Sequence, residues 1–520
     1  MALIKKILIG VGVILVLGVG INYGLNIWVK VKLPKIITEN NDSPFKVSYK
    51  NIHIDLWSGS AKVYEIGIYP KNRPENDTIK LGIYATVKSI EIEHFKIWNV
   101  LFNNVIKAEQ ITVNDPNVLL YKNNENVIND SKNINSQIIN PIQKIIIVPN
   151  IVLKNGSLKI IYIKSKKSIL SARNINLAVN RIVITDETLK NKIPFSYEKF
   201  NFSTDSVFYQ INQFYHLKAV NLQTSNSNFK LKNWALVPEY PRSEFSQKLK
   251  TEKDMYNING ALLSINNMDF GYKDSLFFFN ANSLILEKMS ANIYRNKTVD
   301  DDTTKKHLYN KLLRDIKFPL KVDTLAIKNS MLVYEEEVNA QRGPGKLTFN
   351  NFNLNATGIQ SGFEQDKVKD VVIDVQSQFM NESFLKVHWT FNVLDKTDRF
   401  HIKGTFFNFN LKALYPFTKD YMKVSFKGNL EKVLFNFKGN DKGSAGDFAL
   451  QYRDLEVKFY KKKKPNKENK LKTAVANPFI KNDSNGQTKK VKVEIERDQD
   501  RSFYNLLWKS IAEGLKKILI

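Results

Sequence analysis

From Phe45 onward the sequence alternates apolar and polar residues with a period of two, which constrains the fold more than any other feature. Phe45, Val47 and Tyr49 open the pattern, and Ile52, Ile54 and Leu56 resume it one residue out of phase. Successive side chains of a strand point to opposite faces, so this spacing describes strands with one apolar and one wet side. It is plainest at 400–406, 422–428, 433–439 and 448–459, stretches divided by Gly, Asn and Asp, which accept turn geometry. The expectation is a mainly β chain running as an antiparallel meander.

Three segments resemble one another. They share an apolar-x-Asn-x-x-apolar-x-apolar pattern centred on Asn155, Asn267 and Asn329, and each is followed by a strand introduced by Asn174, Asn280 or Asn351. The irregular spacing excludes a tight solenoid and points to one hairpin unit reused along an elongated sheet. Helices are few. Residues 304–315 are amphipathic through Leu308, Leu312 and Leu313, 243–254 read as a polar helix or loop, and 411–421 as a short turn of helix. A last helix, capped by Ser502 or Asp500 and running to about Leu519, carries an apolar stripe that includes Phe503, Leu507, Ile511 and Leu515. That stripe suits docking on the sheet, or contact of Phe503, Leu507, Trp508, Ile511 and Leu515 with a membrane or partner.

The first 34 residues have a different composition. Lys5 and Lys6 precede an apolar run that includes Ile7, Leu15 and Ile21 and continues to Trp28 and Val29, the length of a bilayer-spanning helix. No small-x-small cleavage site is obvious, which favours an uncleaved anchor over a secretory signal. Lysines flank both ends, so charge alone does not orient it. The organisation expected is an anchor over 1–34, a β body with repeated hairpins over 35–460, a basic and polar flexible excursion over 461–489, and a terminal strand and amphipathic helix over 490–520. The excursion opens on four lysines that could meet anionic headgroups, although a solvated loop tip is the commoner use of such a run.

Composition narrows the chemistry. The chain of 520 residues has no cysteine, which excludes disulfides, thiolate metal sites and cysteine nucleophiles. Its six histidines are scattered. The runs Asp300, Asp301, Asp302 with His307, and Glu335, Glu336, Glu337, are the candidates for a divalent cation, but acidic residues at strand ends more often meet solvent. Gly343, Pro344, Gly345 and Lys346 lack phosphate-loop spacing and read as a turn. No catalytic, cofactor or metal residue is assigned, and an enzyme is not expected. The net charge of +27 is dispersed along strands, without a recognition helix, which argues against nucleic acid.

The anchor leading into strands, the segment 106–121 with Pro116 before its second apolar run, the Asn155 and Asn329 hairpins, Gly428, Gly439 and the 446–455 strand, and the end from Arg497 through Trp508 and Gly514 resemble the AsmA-like family of bacterial envelope proteins, in its Bacteroidota-type form. The resemblance implies a single-pass inner-membrane protein with its body in the periplasm and a long sheet curled into a groove. It also implies that phospholipid or another acyl-chain lipid is shielded there on its way to the outer membrane. A scaffold for outer-membrane assembly, working with other envelope proteins and carrying no lipid, is the alternative. The first predicts open apolar positions along the sheet, the second a filled core.

Overall fold

A computed structural model describes residues 45–55, 58–71, 82–96, 106–122, 146–183, 196–273, 276–461, 468–470, 472–473 and 481–520, with Ile27 and Val31. The fold is mainly β. The chain forms two compact units, one of residues 1–210 and 219–226, the other of 211–218 and 227–520. The predicted anchor, including Ile7, Leu15, Ile21 and Trp28, lies outside the described residues. Among the described residues no helix is long and apolar enough to cross a membrane.

In the first unit β1 (Phe45–Ser48) and β2 (Asn51–Asp55) both pair with β3 (Ser60–Pro70), which pairs with β4 (Gly82–Glu93). A two-residue ladder joins β5 (Ile106–Lys107) to β8 (Ile146–Ile147). Strand β4 runs antiparallel to β6 (Gln110–Asn114) and β7 (Asn117–Lys122) in succession. Both then pair in parallel with β9 (Asn150–Tyr162). An antiparallel run through β10 (Ser168–Asn180) to β11 (Lys199–Gln210) follows. Strand β12 (Tyr215–Ser225) divides its residues between the two units.

The second unit repeats this plan and extends it. Strand β13 (Asn228–Pro238) and, after the short helix α1 (Arg242–Leu249), β14 (Asp254–Asn266) form a pair, with β15 (Asp269–Lys273) beyond. Strand β14 runs antiparallel to β16 (Leu276–Glu287) and β17 (Ser290–Asn296), and both pair in parallel with β18 (Leu320–Glu337). A parallel neighbour needs a crossover of a dozen or more residues, and this one carries α2 (Tyr309–Arg314). From β18 an antiparallel meander continues through β19 (Gly345–Gln360), β20 (Val371–Phe379), β21 (Ser383–Phe391), β22 (Phe400–Asn410), β23 (Val424–Gly439), β24 (Gly443–Phe459) and β25 (Lys489–Glu496). Residues 411–422 form an irregular helical link, and α3 (Phe503–Leu519) ends the chain.

The recurrent asparagines mark a shared device. In the β9–β10 hairpin Asn155 and Asn174 are both left-handed (φ 53° each), as are Asn329 (49°) and Asn351 (46°) in β18–β19. The ladder slips one residue at each pair. Asn tolerates this conformation because its short polar side chain bonds locally. Here the clamp comes from a neighbour: Asn176 Oδ1 accepts the Asn155 N–H at 3.2 Å while its Nδ2 donates to the Asn174 carbonyl at 3.2 Å. Asn353 does the same for Asn329 and Asn351, at 2.9 and 2.8 Å. The extra residue resets the alternation, so Ile151 and Leu153 before the kink share a face with Leu158 and Ile160 after it. Glu65 (φ 52°) plays this part opposite the phase shift between Tyr49 and Ile52. Asn267 differs, lying in the turn between β14 and β15, where its N–H bonds the Asn228 side chain.

Two expectations are adjusted. Helix α2 is shorter than 304–315, because Asp302 Oδ1 ties up the Thr304 N–H and hydroxyl and the Lys306 N–H bonds the Gln499 carbonyl, leaving the chain non-helical up to Leu308. The 461–489 excursion lies partly outside the described residues, and its last part is anchored: Ser484 is fully buried and exchanges bonds with the Tyr452 backbone.

Candidate functional site

Strand registers align the apolar residues of each unit into rows. In the first unit one row runs Ala61–Ile92–Ile111–Ile151–Val179–Phe200, and a second Val63–Ile90–Val113–Leu153–Leu177–Phe202. Beyond the kinks a third runs Ile68–Ala85–Val118–Leu158–Ala172–Val207. The second row is half-buried along its whole length. Among the described residues of this unit no helix packs on that face. The opposite face holds Lys62, Glu91 and Thr112, and beyond the kinks Ser157, Arg173 and Ser206.

The second unit has two longer rows. One is Phe229–Ile265–Leu284–Leu325–Ala356–Ile373–Trp389–Ile402–Phe437–Gly446–Val493. Its neighbour is Leu231–Leu263–Leu286–Ile327–Leu354–Val375–Val387–Gly404–Phe435–Phe448–Val491. From Leu284 to Ile373 and from Leu263 to Val387 these positions are half-buried, apart from the small, buried Ala356. From Trp389 onward they form the main core, under α3 and α2.

Helix α3 closes that end through small residues as much as large ones. Phe503 stacks on Trp389 at 4.3 Å and 5°. Leu506 and Ile518 are buried, and between them Ser510 and Gly514 form a notch. A Cβ on Gly514 would stand 2.3 Å from Phe448 Cγ, so only glycine admits the fully buried Phe448 ring there. Ser510 and Ser444 share a hydrogen bond of 2.6 Å. Of the residues expected to contact a membrane or partner, Phe503 is 3% exposed, and Leu507, Ile511 and Leu515 are half-buried against the same core. Trp508 is 51% exposed, beside Tyr504 at 60%. Docking on the sheet therefore accounts for four of the five. Counting only hydrophobic residues misses Ser510 and Gly514, although their i, i+4 spacing is legible in the sequence.

Polar residues bound the rows of the second unit. Row Tyr256–Ile293–Tyr334–Leu347 is followed by Asp254–Arg295–Glu336–Gly345. Arg295 donates twice to Asp254, at 2.7 and 2.8 Å, and Tyr334 donates to Glu336 at 2.6 Å. Burial, and then the charge of Asp254, pushes the Tyr256 hydroxyl up to about 12. Burial and Glu336 do the same to Tyr421, also to about 12. These phenols remain neutral donors at physiological pH. Arg501, at the start of α3, meets Glu252 at 2.5 Å and Asp301 at 2.6 Å, and Lys297 also reaches Glu252 at 2.5 Å.

Among the described residues, five of the six acidic side chains in the two runs are held by such contacts, Asp300 taking part only through its main chain. Asp302 accepts from Lys306 and Thr304, Asp301 pairs with Arg501, and Asp300 bonds the Glu252 N–H through its carbonyl. Glu335 pairs with Arg242, Glu336 with Tyr334, and Glu337 with Tyr294. Among the described residues no cluster of three metal-ligating side chains occurs. Gly343 is a turn residue at φ 75°, and Gly345 begins β19 against Phe417. No protein-family model matches the sequence, and no curated protein matches it either.

Proposed function

We propose that the chain is an AsmA-like envelope protein, held in the inner membrane by its N-terminal apolar segment, that binds acyl chains of phospholipid along its apolar sheet face and passes them toward the outer membrane. The observation that supports this most is the half-buried row Val63–Ile90–Val113–Leu153–Leu177–Phe202, which no described helix of its unit covers. An apolar surface of that extent gains about 0.8 kcal/mol for each methylene laid against it, and contiguous apolar patches mark interaction surfaces. A scaffold role is the second reading. It is favoured by the closed core under α3, which is filled by protein side chains and leaves Tyr504 and Trp508 outside.

Photocrosslinking separates the two. Benzoylphenylalanine is introduced singly at Leu153, Leu177 or Leu354 of the full chain in bacteria, with Lys154 as the control on the wet face. Mass spectrometry of the irradiated, purified protein should show phospholipid adducts at the three leucines, well above the level at Lys154. Adducts no more frequent at the leucines than at Lys154 would sink lipid binding. A single protein adduct in their place would favour the scaffold.

A further inference from the structure

The wet face of the first unit holds a depression of ≈ 460 Å³ whose lining includes no carboxylate. Two adjacent rows build it: Asn117–Ser157–Arg173–Ser206 and Leu119–Lys159–Ser171–Phe208. Arg173 and Lys159 are a diagonal pair on neighbouring strands, a separation that long side chains bridge. Both are exposed. Among the described residues neither pairs with a carboxylate, and the acids flanking these rows in sequence are engaged elsewhere: Asp115 lies 3.4 Å from Lys88, and Asp205 accepts from Asn174 at 2.7 Å.

The donors are partly oriented already. Arg173 Nε donates to Ser206 Oγ at 3.2 Å, which fixes the guanidinium by its inner nitrogen and leaves the terminal fork for a ligand. Ser157 Oγ donates to Asn117 Oδ1 at 2.8 Å, so the Asn117 amide offers its nitrogen. Ser171 adds a third hydroxyl. A planar fork, an ammonium, hydroxyls and an amide are the donor set that recognises phosphate oxygens. Leu119 and Phe208 at the margin give an organic substituent something to lie on.

The geometry points to a binding site for an organic phosphate anion, a mono- or diester, gripped by Arg173 and Lys159 with the Asn117 amide nitrogen and the hydroxyls of Ser171 and Ser206. It lies on the face opposite the apolar rows and is independent of the lipid-binding reading. The ester is borne either by a soluble molecule or by a lipid headgroup, and two probes distinguish these sources.

The test is calorimetric titration of the full chain in non-ionic detergent with glycerol 3-phosphate and, separately, with dihexanoyl phosphatidylglycerol below its micelle concentration. Saturable binding of at least one probe is expected, weakened roughly tenfold or more in the Lys159→Gln/Arg173→Gln double variant and unchanged in Lys154→Gln. Equal affinity for the two probes indicates a soluble ester, and tighter binding of the second a lipid headgroup. Both target side chains are exposed, and an unchanged thermal melt verifies that the variant is folded. No saturable binding of either probe at roughly 10 mM, or equal binding by the double variant, overturns the proposal. Because phospholipid labelling at Leu153 reads the other face, failure of one reading is distinguishable from failure of the other.

Discussion

The β4–β10 segment of the first unit and the β14–β19 segment of the second are built alike, yet their surroundings differ. In each, one strand spans two shorter ones, which pair in parallel with a long kinked strand that turns back on itself. Both long hairpins carry facing left-handed asparagines and an Asn clamp. In the second unit the sheet continues from β19 to β25, and the end of that continuation is sealed by α3. The comparison teaches that the kinked hairpin sets up the apolar rows, and that closure is a separate addition made by elements late in the chain. If so, damage to the seal should stay local.

Phe448→Ala is the strongest way to break that separation. The ring is fully buried in the Ser510–Gly514 notch, and deleting a core phenylalanine costs about 3–5 kcal/mol. Hydrogen exchange should accelerate by orders of magnitude in β23–β25 and α3 while β9 and β10 keep their protection. Equal acceleration in β9 and β10 would show that closure and hairpins form one cooperative unit.

Much of this organisation was legible in the sequence, and the rest was hidden for identifiable reasons. Period-two alternation announced the strands, and the phase shift after Tyr49 falls where β1 gives way to β2. The Asn155 and Asn329 hairpins were visible as similar segments, whereas Asn267 shared the pattern and not the geometry, because a turn accepts left-handed asparagine as readily as a bulge does. Register was invisible: nothing local says that Leu153 lies beside Val113 and Leu177, since that depends on pairing across dozens of residues. The notch at Ser510 and Gly514 was overlooked because small residues contribute by allowing approach, which a count of apolar side chains does not register. The Asp300–Asp302 and Glu335–Glu337 runs looked like solvent-facing or cation-binding groups, and their partners Arg501, Arg242 and Tyr294 are distant in sequence, although Tyr334 lies two residues from Glu336 on the same strand.

A smaller effect sharpens the likeness between the hairpins. Asn155→Val and Asn329→Val each place a β-branched residue at φ near 50°, a strain of about 1–2 kcal/mol. Asn→Gly at either site should be close to neutral, because the clamping bond reaches the backbone N–H and not the replaced side chain. Urea-induced transitions followed by exchange in β9–β10 for the first variant and β18–β19 for the second should shift by similar amounts. A large shift at one site and none at the other would mean that the two kinks only look alike.

The smallest effect concerns the ion pairs beside the seal. The Lys306 ammonium, with Thr304, holds the Asp302 carboxyl well below the usual carboxylate range, and the Arg501 guanidinium lowers Asp301. A carboxyl whose folded pKa is depressed adds stability above its unfolded value, about 3.9, and loses that contribution as pH falls through the folded value. Acidification below about pH 4 should therefore loosen the 297–306 segment and the start of α3 while the hairpin β9–β10, which lacks these pairs, responds less. Exchange rates of the two regions between neutral pH and pH 3, corrected for intrinsic acid dependence, make the comparison. In Asp302→Asn the change at 302–306 should shrink, because the titrating group is gone. If that variant loosens with acid as wild type does, the Asp302–Lys306 pair contributes nothing to the acid response of this segment.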